Sequence, residues 1–247
     1  EIQMYSPDLL AYLVLCVKKI IEFGGKVAVL TATLPPYARK KLEEVMGEDV
    51  VYNSFINTVK PRHNAKVIDS TLNADDILRF WEEKRAAESC KILVICNRIK
   101  TAQRLYTELN SAEIANIHLL HSRFTQQDRS KKEVEILQTG KTATNAHEIW
   151  IATSVVEASL DIDFDYLFTE LLDLFSLFQR FGRVNRKGVK SIAETNCFVY
   201  TQLQDSDYMN PEEKDLLVRF QSAMNDQSID PVIYHYSKKA IETVSGI

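Results

Sequence analysis

The run Ile92-Leu93-Val94-Ile95-Cys96 sets five apolar side chains in succession, and three of them are β-branched. Successive side chains of a strand point to opposite faces, so an unbroken apolar run needs cover on both. That requirement selects a parallel sheet wrapped by helices over a sheet with one wet face. The rest of the chain repeats the theme of short apolar runs alternating with amphipathic segments. Further candidate strands are Val27-Ala28-Val29-Leu30, Lys66-Val67-Ile68-Asp69, Ile117-His118-Leu119-Leu120, Ile149-Trp150-Ile151-Ala152, Tyr166-Leu167-Phe168 and Cys197-Phe198-Val199-Tyr200. Between them, helical spacing places Ala38, Leu42, Val45 and Met46 on one face behind Pro35-Pro36. The same spacing predicts helices through Ala74, Ile77, Phe80 and Trp81, through Ala102, Leu105 and Leu109, and through Val134, Ile136 and Leu137. The expected class is therefore α/β.

Periodicity fails near 53–64, where Thr58-Val59-Lys60-Pro61-Arg62-His63-Asn64 reads as a linker. Three parts follow. Residues 1–57 hold one strand and two helices, too little for an independent core. Residues 58–204 hold a complete unit of six or seven strands. Residues 205–247 read as a helical extension, with Pro211 opening one helix and a second running from about Ser237 to Val244.

Composition narrows the function classes. The net charge of −4 argues against an overall cationic nucleic-acid binder but leaves room for a local basic channel. No apolar run approaches the ~20 residues of a bilayer span. Glu1-Ile2-Gln3-Met4 lacks the basic-then-apolar order of a signal peptide. Cys16, Cys90, Cys96 and Cys197 form no Cys-x-x-Cys pair. Core thiols in a reducing, cytoplasmic setting are expected, and no metal site.

The chemistry concentrates in Gln179-Arg180-Phe181-Gly182-Arg183-Val184-Asn185-Arg186. Three arginines at spacing three, carried past a glycine, suit a surface that grips a polyphosphate, because guanidinium is always charged and its forked donors match phosphate oxygens. A solvated basic helix end would carry the same residues. Thr31-Ala32-Thr33 follows a candidate strand, where ligands bind in open α/β sheets, although helix caps use the same residue types. From Ala152 to Asp165 a strand ends in Thr153-Ser154, a helical turn follows, and Asp161, Asp163 and Asp165 alternate. An open helix N-terminus after Thr153 would hold a phosphate through backbone N–H groups. A capped helix with an acidic loop is the other reading. His121-Ser122-Arg123-Phe124, with Asp128-Arg129 a turn later, offers arginines to a nucleic-acid backbone and Phe124 for packing or stacking. A salt-bridged helix start would look similar. Gly140-Lys141-Thr142 is no phosphate loop, because Glu135 stands where the earlier glycine belongs and no strand precedes it.

In this order the segments resemble the later motifs of superfamily 2 helicases. Thr31-Ala32-Thr33 resembles motif III, Ile95-Cys96-Asn97-Arg98 motif IV, Ala152 to Asp165 motif V, and Gln179 to Arg186 the QRxGRxxR form of motif VI. Within that superfamily the combination is most similar to the helicase-nuclease of type I CRISPR interference, over roughly the whole chain to Tyr200. The resemblance implies a RecA-like lobe and an ATP-driven, single-stranded DNA translocase. Its implied partners are a guide-RNA surveillance complex and a nuclease domain or subunit. Glu1-Ile2-Gln3 resembles the end of a DExH/Q box, so Glu1 would help hold Mg2+ and position water. Gln179, Arg180, Arg183 and Arg186 would meet ATP, with Arg183 and Arg186 reaching the γ-phosphate across a cleft. Asp161 would hold those arginines or the ribose. Thr31, Thr33, Asn97, Arg123, Thr153 and Ser154 would hold the nucleic acid. The phosphate loop and the metal-binding His-Asp nuclease residues of that family are not in this sequence. The resemblance thus implies the tail of a first lobe plus a second lobe, inactive alone. Another superfamily 2 DNA or RNA helicase, or a silent RecA-like docking module, stays open.

Overall fold

Six of the candidate strands pair into one all-parallel sheet: β1 (Ala65–Thr71), β2 (Cys90–Ile95), β3 (Ile117–Leu120), β4 (His147–Ala152), β5 (Tyr166–Glu170) and β6 (Cys197–Gln202). Their order across the sheet is β1-β6-β5-β2-β4-β3. The structure is a computed structural model. It describes residues 7–31, 36–47, 50–51, 53, 61–112, 114, 116–141, 143–157, 160–172 and 174–202. Two compact units divide the chain, with the change at residues 57 and 58.

In the larger unit β2 lies between β5 and β4, in register Leu93 with Leu167 and with Trp150. Its side chains alternate between two cores, Leu93 and Ile95 in one, Ile92 and Val94 in the other. The unbroken apolar run is thus explained: both faces are covered. The helices are α3 (Ala74–Lys84), α4 (Ile99–Ser111), α5 (Gln126–Thr139) and α6 (Leu174–Phe181). Asn73 caps α3 by accepting from the Asp76 N–H at 2.9 Å, and Asp75 and Asp76 favour the positive end of that helix. Thr125 caps α5 in the same way through the Asp128 N–H at 3.2 Å. Ile77, Ala102, Leu105, Leu109 and Ile136 are buried as their spacing requires, whereas Val134 faces solvent. Phe80 meets Tyr166, Phe168 and Phe198 edge-on, with ring centres 4.7–5.4 Å away, a favoured aromatic geometry.

Gly140 ends α5, so the Gly-Lys pair there lies at a helix C-terminus, which is wrong for a phosphate. A side chain at Gly140 would meet Ile162 at 2.6 Å, and this close approach needs glycine.

The smaller unit packs two helices, α1 (Pro7–Glu22) and α2 (Pro36–Met46), around Val17 and Leu42. Val27 and Val29 pack against that core, but 27–30 form no ladder among the described residues. The expected strand is therefore an extended segment with one face covered. The linker also ends earlier than expected. Asn64 N–H donates to Asn196 Oδ1 at 2.8 Å, and the Asn64 carbonyl accepts from Cys197 N–H at 3.2 Å, so 62–64 belong to the larger unit. The expected helical extension and Glu1 lie outside the described residues.

Candidate functional site

The singled-out segments converge because parallel strands all end on one edge. At the carboxyl ends of β5, β2, β4 and β3 stand Leu171, Asn97, Thr153 and His121, on adjacent strands. Backbone and side chains stitch them together. Asn97 N–H donates to Glu170 Oε2 at 2.6 Å, Asn97 Nδ2 donates to the Leu171 carbonyl at 3.0 Å, and Thr153 N–H reaches the Leu120 carbonyl at 3.3 Å. Asn97 is therefore engaged within the lobe. Thr153 is buried and Ser154 exposed. The turn after Thr153 is a single 3-10 turn, Ser154–Val156, so the expected open helix N-terminus is not formed there. Arg123 is exposed in the turn after β3, beside a His121–Phe124 stack with ring centres 4.4 Å apart. Burial lowers the His121 pKa, with Arg123 and Lys132 adding to the effect, and its Nδ1 accepts from the Arg123 N–H at 3.2 Å. Arg129 pairs with Glu133 at 2.7 Å, the salt-bridged helix start.

The arginine segment begins on α6 and leaves it at Phe181. Beyond the helix, Phe164 N–H donates to the Arg183 carbonyl at 2.9 Å and Asn185 N–H to the Phe164 carbonyl at 3.2 Å. This zipper sets the acidic 161–165 loop beside Arg186. Arg186 N–H donates to Asp163 Oδ1 at 3.0 Å, and its guanidinium meets Asp161 at 3.2 Å. Asn185 adopts φ +45°, a left-handed conformation asparagine tolerates.

The three arginines have three different situations. Arg180 and Glu157 form an ion pair at 2.8 Å with both side chains only 1% exposed. Arg180 also donates to Thr169 Oγ1 at 2.9 Å and the Glu170 carbonyl at 2.7 Å. The expectation sets Arg180 against the nucleotide; in this structure its guanidinium is held inside the lobe by Glu157, Thr169 and the Glu170 carbonyl. Arg183, 6% exposed, donates to the carbonyls of Glu157 and Leu160. In this structure it braces the turn after β4. Arg186 differs, since its side chain is 42% exposed and its partner Asp161 is 86% exposed. Gln179 is half-buried beside them. Thr31 is half-buried in the smaller unit, and Thr33 lies outside the described residues.

Two acids were missed by motif reading. Glu157 interrupts the apolar stretch from Val155 to Leu160, and Glu170 ends the apolar β5; a lone carboxylate in such a run is the available signal. Burial raises the Glu170 pKa, opposed by the Asn97 N–H and the nearby Arg180, Arg104 and Arg98. The thiols sit apart from this chemistry. Cys90, Cys96 and Cys197 are buried, with Cys90 pushed up to about 12 by burial, while Cys16 is exposed. Among the described residues no group of three or more His, Cys, Asp and Glu is placed to hold a metal ion. Among them too, no helix is long and apolar enough to cross a membrane.

A parallel RecA-like sheet carrying these segments on its carboxyl edge defines the second lobe of a superfamily 2 helicase. Residues 88–189 match the family described as CRISPR-associated nuclease/helicase Cas3, C-terminal. The chain is 31% identical over 217 residues to the CRISPR-associated endonuclease/helicase Cas3 of Escherichia coli K12, covering 75% of this chain and 24% of that protein. It is 29% identical over 218 residues to the Cas3 nuclease/helicase of Methanothermobacter thermautotrophicus, covering 84% of this chain and 25% of that protein. The chain thus spans about a quarter of the curated relatives it matches. The crystal structure of T. fusca Cas3-ATP superposes with TM-score 0.70 at 18% identity, over 98% of this chain and 36% of that one. A CRISPR RNA-guided surveillance complex in a pre-nicking state contains a chain similar at TM-score 0.71 and 19% identity, over 99% of this chain and 36% of that one. The chain is thus similar to the Cas3 proteins in their helicase C-terminal lobe, with the family's own match at residues 88–189.

Proposed function

We propose that this lobe supplies one wall of an ATP site and half of a nucleic-acid track in an ATP-dependent, single-stranded DNA translocase of type I CRISPR interference. The observation that carries the reading is the contrast among the arginines. Arg186 alone of the three is held by an exposed carboxylate, so a polyphosphate can replace Asp161 as its partner without any buried charge being stranded. Bound ATP supplies a phosphoanhydride whose cleavage drives the cycle. Arg186 neutralises charge on the transferred group, Asp161 holds the guanidinium when no nucleotide is present, and Gln179 orders the polar network beside it. Arg183 acts one step back by bracing the 157–160 turn, and Arg180 fixes α6 to β5. Mg2+ is assigned mainly to first-lobe residues, with Glu1 as this chain's contribution. Exposed Arg123 and Ser154 hold backbone phosphates of the strand, Thr153 and Asn97 shape that edge, and Thr31 and Thr33 are assigned to the same nucleic acid.

Residues 1–57 are assigned as the end of the first lobe. In support, Tyr12 and Leu15 of α1 are exposed on the side away from Leu13, Val17 and Ile21, which face α2, and Phe23 just beyond the helix is exposed too. A helix apolar on both sides is a buried helix, so more of that lobe covers it. The guide-RNA surveillance complex and a nuclease domain or subunit are the partners this assignment requires. Expression of the intact parent polypeptide with Arg186→Ala tests it. DNA-stimulated ATP turnover should fall by ~10³-fold or more while the affinity for single-stranded DNA stays within about twofold. Turnover at the level of the unsubstituted protein would refute the assignment of Arg186. The 247-residue chain alone should bind ATP weakly and not hydrolyse it. Stimulation by RNA in place of DNA would favour a different superfamily 2 helicase, and stimulation by neither a docking module.

A further inference from the structure

The last residues joining the two units are not slack. Arg62 Nη1 donates to the Arg186 carbonyl at 2.8 Å, and His63 Nε2 bonds the Val184 carbonyl at 2.8 Å. A carbonyl only accepts, so His63 carries its proton on Nε2. The ring is buried and stacks on Phe181, centres 5.5 Å apart. In return Asn185 Nδ2 donates to the Arg62 carbonyl at 2.9 Å, and Asn196 Nδ2 donates to the same carbonyl at 3.1 Å. Three successive residues of the arginine loop, 184–186, are thus tied directly to residues 62 and 63. Asn64 is pinned independently by Asn196 and Ile192, so 62–64 form a fixed strap rather than a tether.

We propose that Arg62 and His63 are positioning residues that couple the connection between the lobes to the placement of Arg186. The coupling rests on the assignment of Arg186 above. A change in the relation of the lobes pulls on the chain entering residue 61. Because the next two residues are bonded to the backbone that carries Arg186, that force reaches the loop before it reaches the sheet. A displacement of about 1 Å at such a group costs up to ~10²-fold in rate. A purely packing role would instead lower stability and leave the catalytic constant of the folded enzyme alone.

The experiment is steady-state ATP turnover by the intact parent polypeptide with saturating single-stranded DNA, with thermal unfolding of each variant alongside. Arg62→Met removes the bond to the Arg186 carbonyl at a half-buried position, Arg62→Lys restores a single donor, and His63→Phe keeps the stack while removing the donor. Arg62→Met and His63→Phe should lower kcat ~10–100-fold with KM for ATP within about twofold, and Arg62→Lys should recover most of the loss. In an Arg186→Ala background Arg62→Met should add no further loss, since the strap acts through that side chain. Unchanged kcat in Arg62→Met and His63→Phe, with Arg186→Ala inactive, overturns the coupling and leaves the assignment of Arg186 standing. An active Arg186→Ala protein overturns that assignment itself. A loss from Arg62→Met that multiplies with the loss from Arg186→Ala also overturns the coupling.

Discussion

Replacing Arg180 with alanine separates a structural charge from one that serves a ligand. The side chain is 1% exposed, its partner Glu157 likewise, and the pair closes at 2.8 Å. Removing one member of a buried pair strands the other and costs about 3–5 kcal/mol. The hydrogen bonds to Thr169 Oγ1 and the Glu170 carbonyl add little to that figure, because the one proton of the Thr169 hydroxyl still has the Glu170 carbonyl at 3.1 Å, or the Ile95 carbonyl at 3.3 Å, as acceptor. Since a domain is stable by only about 5–15 kcal/mol, Arg180→Ala should consume about a fifth or more of the total. Urea unfolding of the 247-residue chain measures it, with buried Trp150 as the fluorescent reporter and the slope m checked for constancy. Glu157→Leu should cost a similar amount. The double variant Arg180→Met with Glu157→Leu should be less unstable than the sum of its parts by at least ~2 kcal/mol, because neither charge is then left behind. A cost for Arg180→Ala below ~1 kcal/mol, or strict additivity in the double variant, would refute the argument. The guanidinium would then be reachable by water and available to a nucleotide after all.

Three further outcomes follow from the same geometry. Burial holds the His63 pKa down to about 4 against 6.5 in the open chain, so the native state binds fewer protons between those values and stability must fall as pH drops from 6.5 towards 4. The loss specific to His63 is about 3 kcal/mol, read as the difference in urea unfolding between the parent and His63→Phe at pH 7 and pH 4.5; a difference independent of pH would contradict it. Gly140→Ala should lower stability by about 1–3 kcal/mol in thermal unfolding, because the new methyl carbon would sit 2.6 Å from Ile162. Asp161→Ala removes an exposed pair and should change stability by less than ~1 kcal/mol while altering ATP turnover in the intact polypeptide.

The sheet was legible because its signal is local. Runs such as Ile92–Cys96 can be satisfied only by cover on two faces, and the six strands from residue 65 on are found where those runs lie. Val27–Leu30 shows the limit of that logic. Alternating burial says that one face is covered, but not that a neighbouring strand supplies hydrogen bonds, and here two helices do the covering. The roles of the arginines were not legible for a different reason. Arg180, Arg183 and Arg186 have the same chemistry at equal spacing, and what distinguishes them lies elsewhere in the chain. Glu157 stands 23 residues before Arg180, and Arg183 is fixed by carbonyls at 157 and 160. His63 carries no motif, and its position within a Pro-containing break reads as a loop. Only the fold shows that it is bonded to a residue 121 positions later.

Desolvation explains why one segment can both hold the lobe together and act on a ligand. Arg180 has exchanged water for Glu157, Thr169 and a carbonyl, so drawing it towards a phosphate would leave a buried carboxylate without a partner. Arg183 would give up its bonds to the Glu157 and Leu160 carbonyls if it turned outward, a smaller penalty of at most about 1–3 kcal/mol for each. Arg186 gives up an exposed pair, worth at most ~1 kcal/mol, and a long 3.5 Å bond to the Gly182 carbonyl, and Asp161 then returns to water. A polyphosphate offers a guanidinium charge-assisted, bidentate bonds stronger than that surface pair. The exchange is therefore favourable at Arg186, conditional at Arg183 and opposed at Arg180. The same ordering requires the backbone under Arg186 to be fixed by something other than its side chain. Asp163 at the Arg186 N–H and Arg62 at its carbonyl hold that backbone from both sides of one residue, while the guanidinium is held only by partners at the surface.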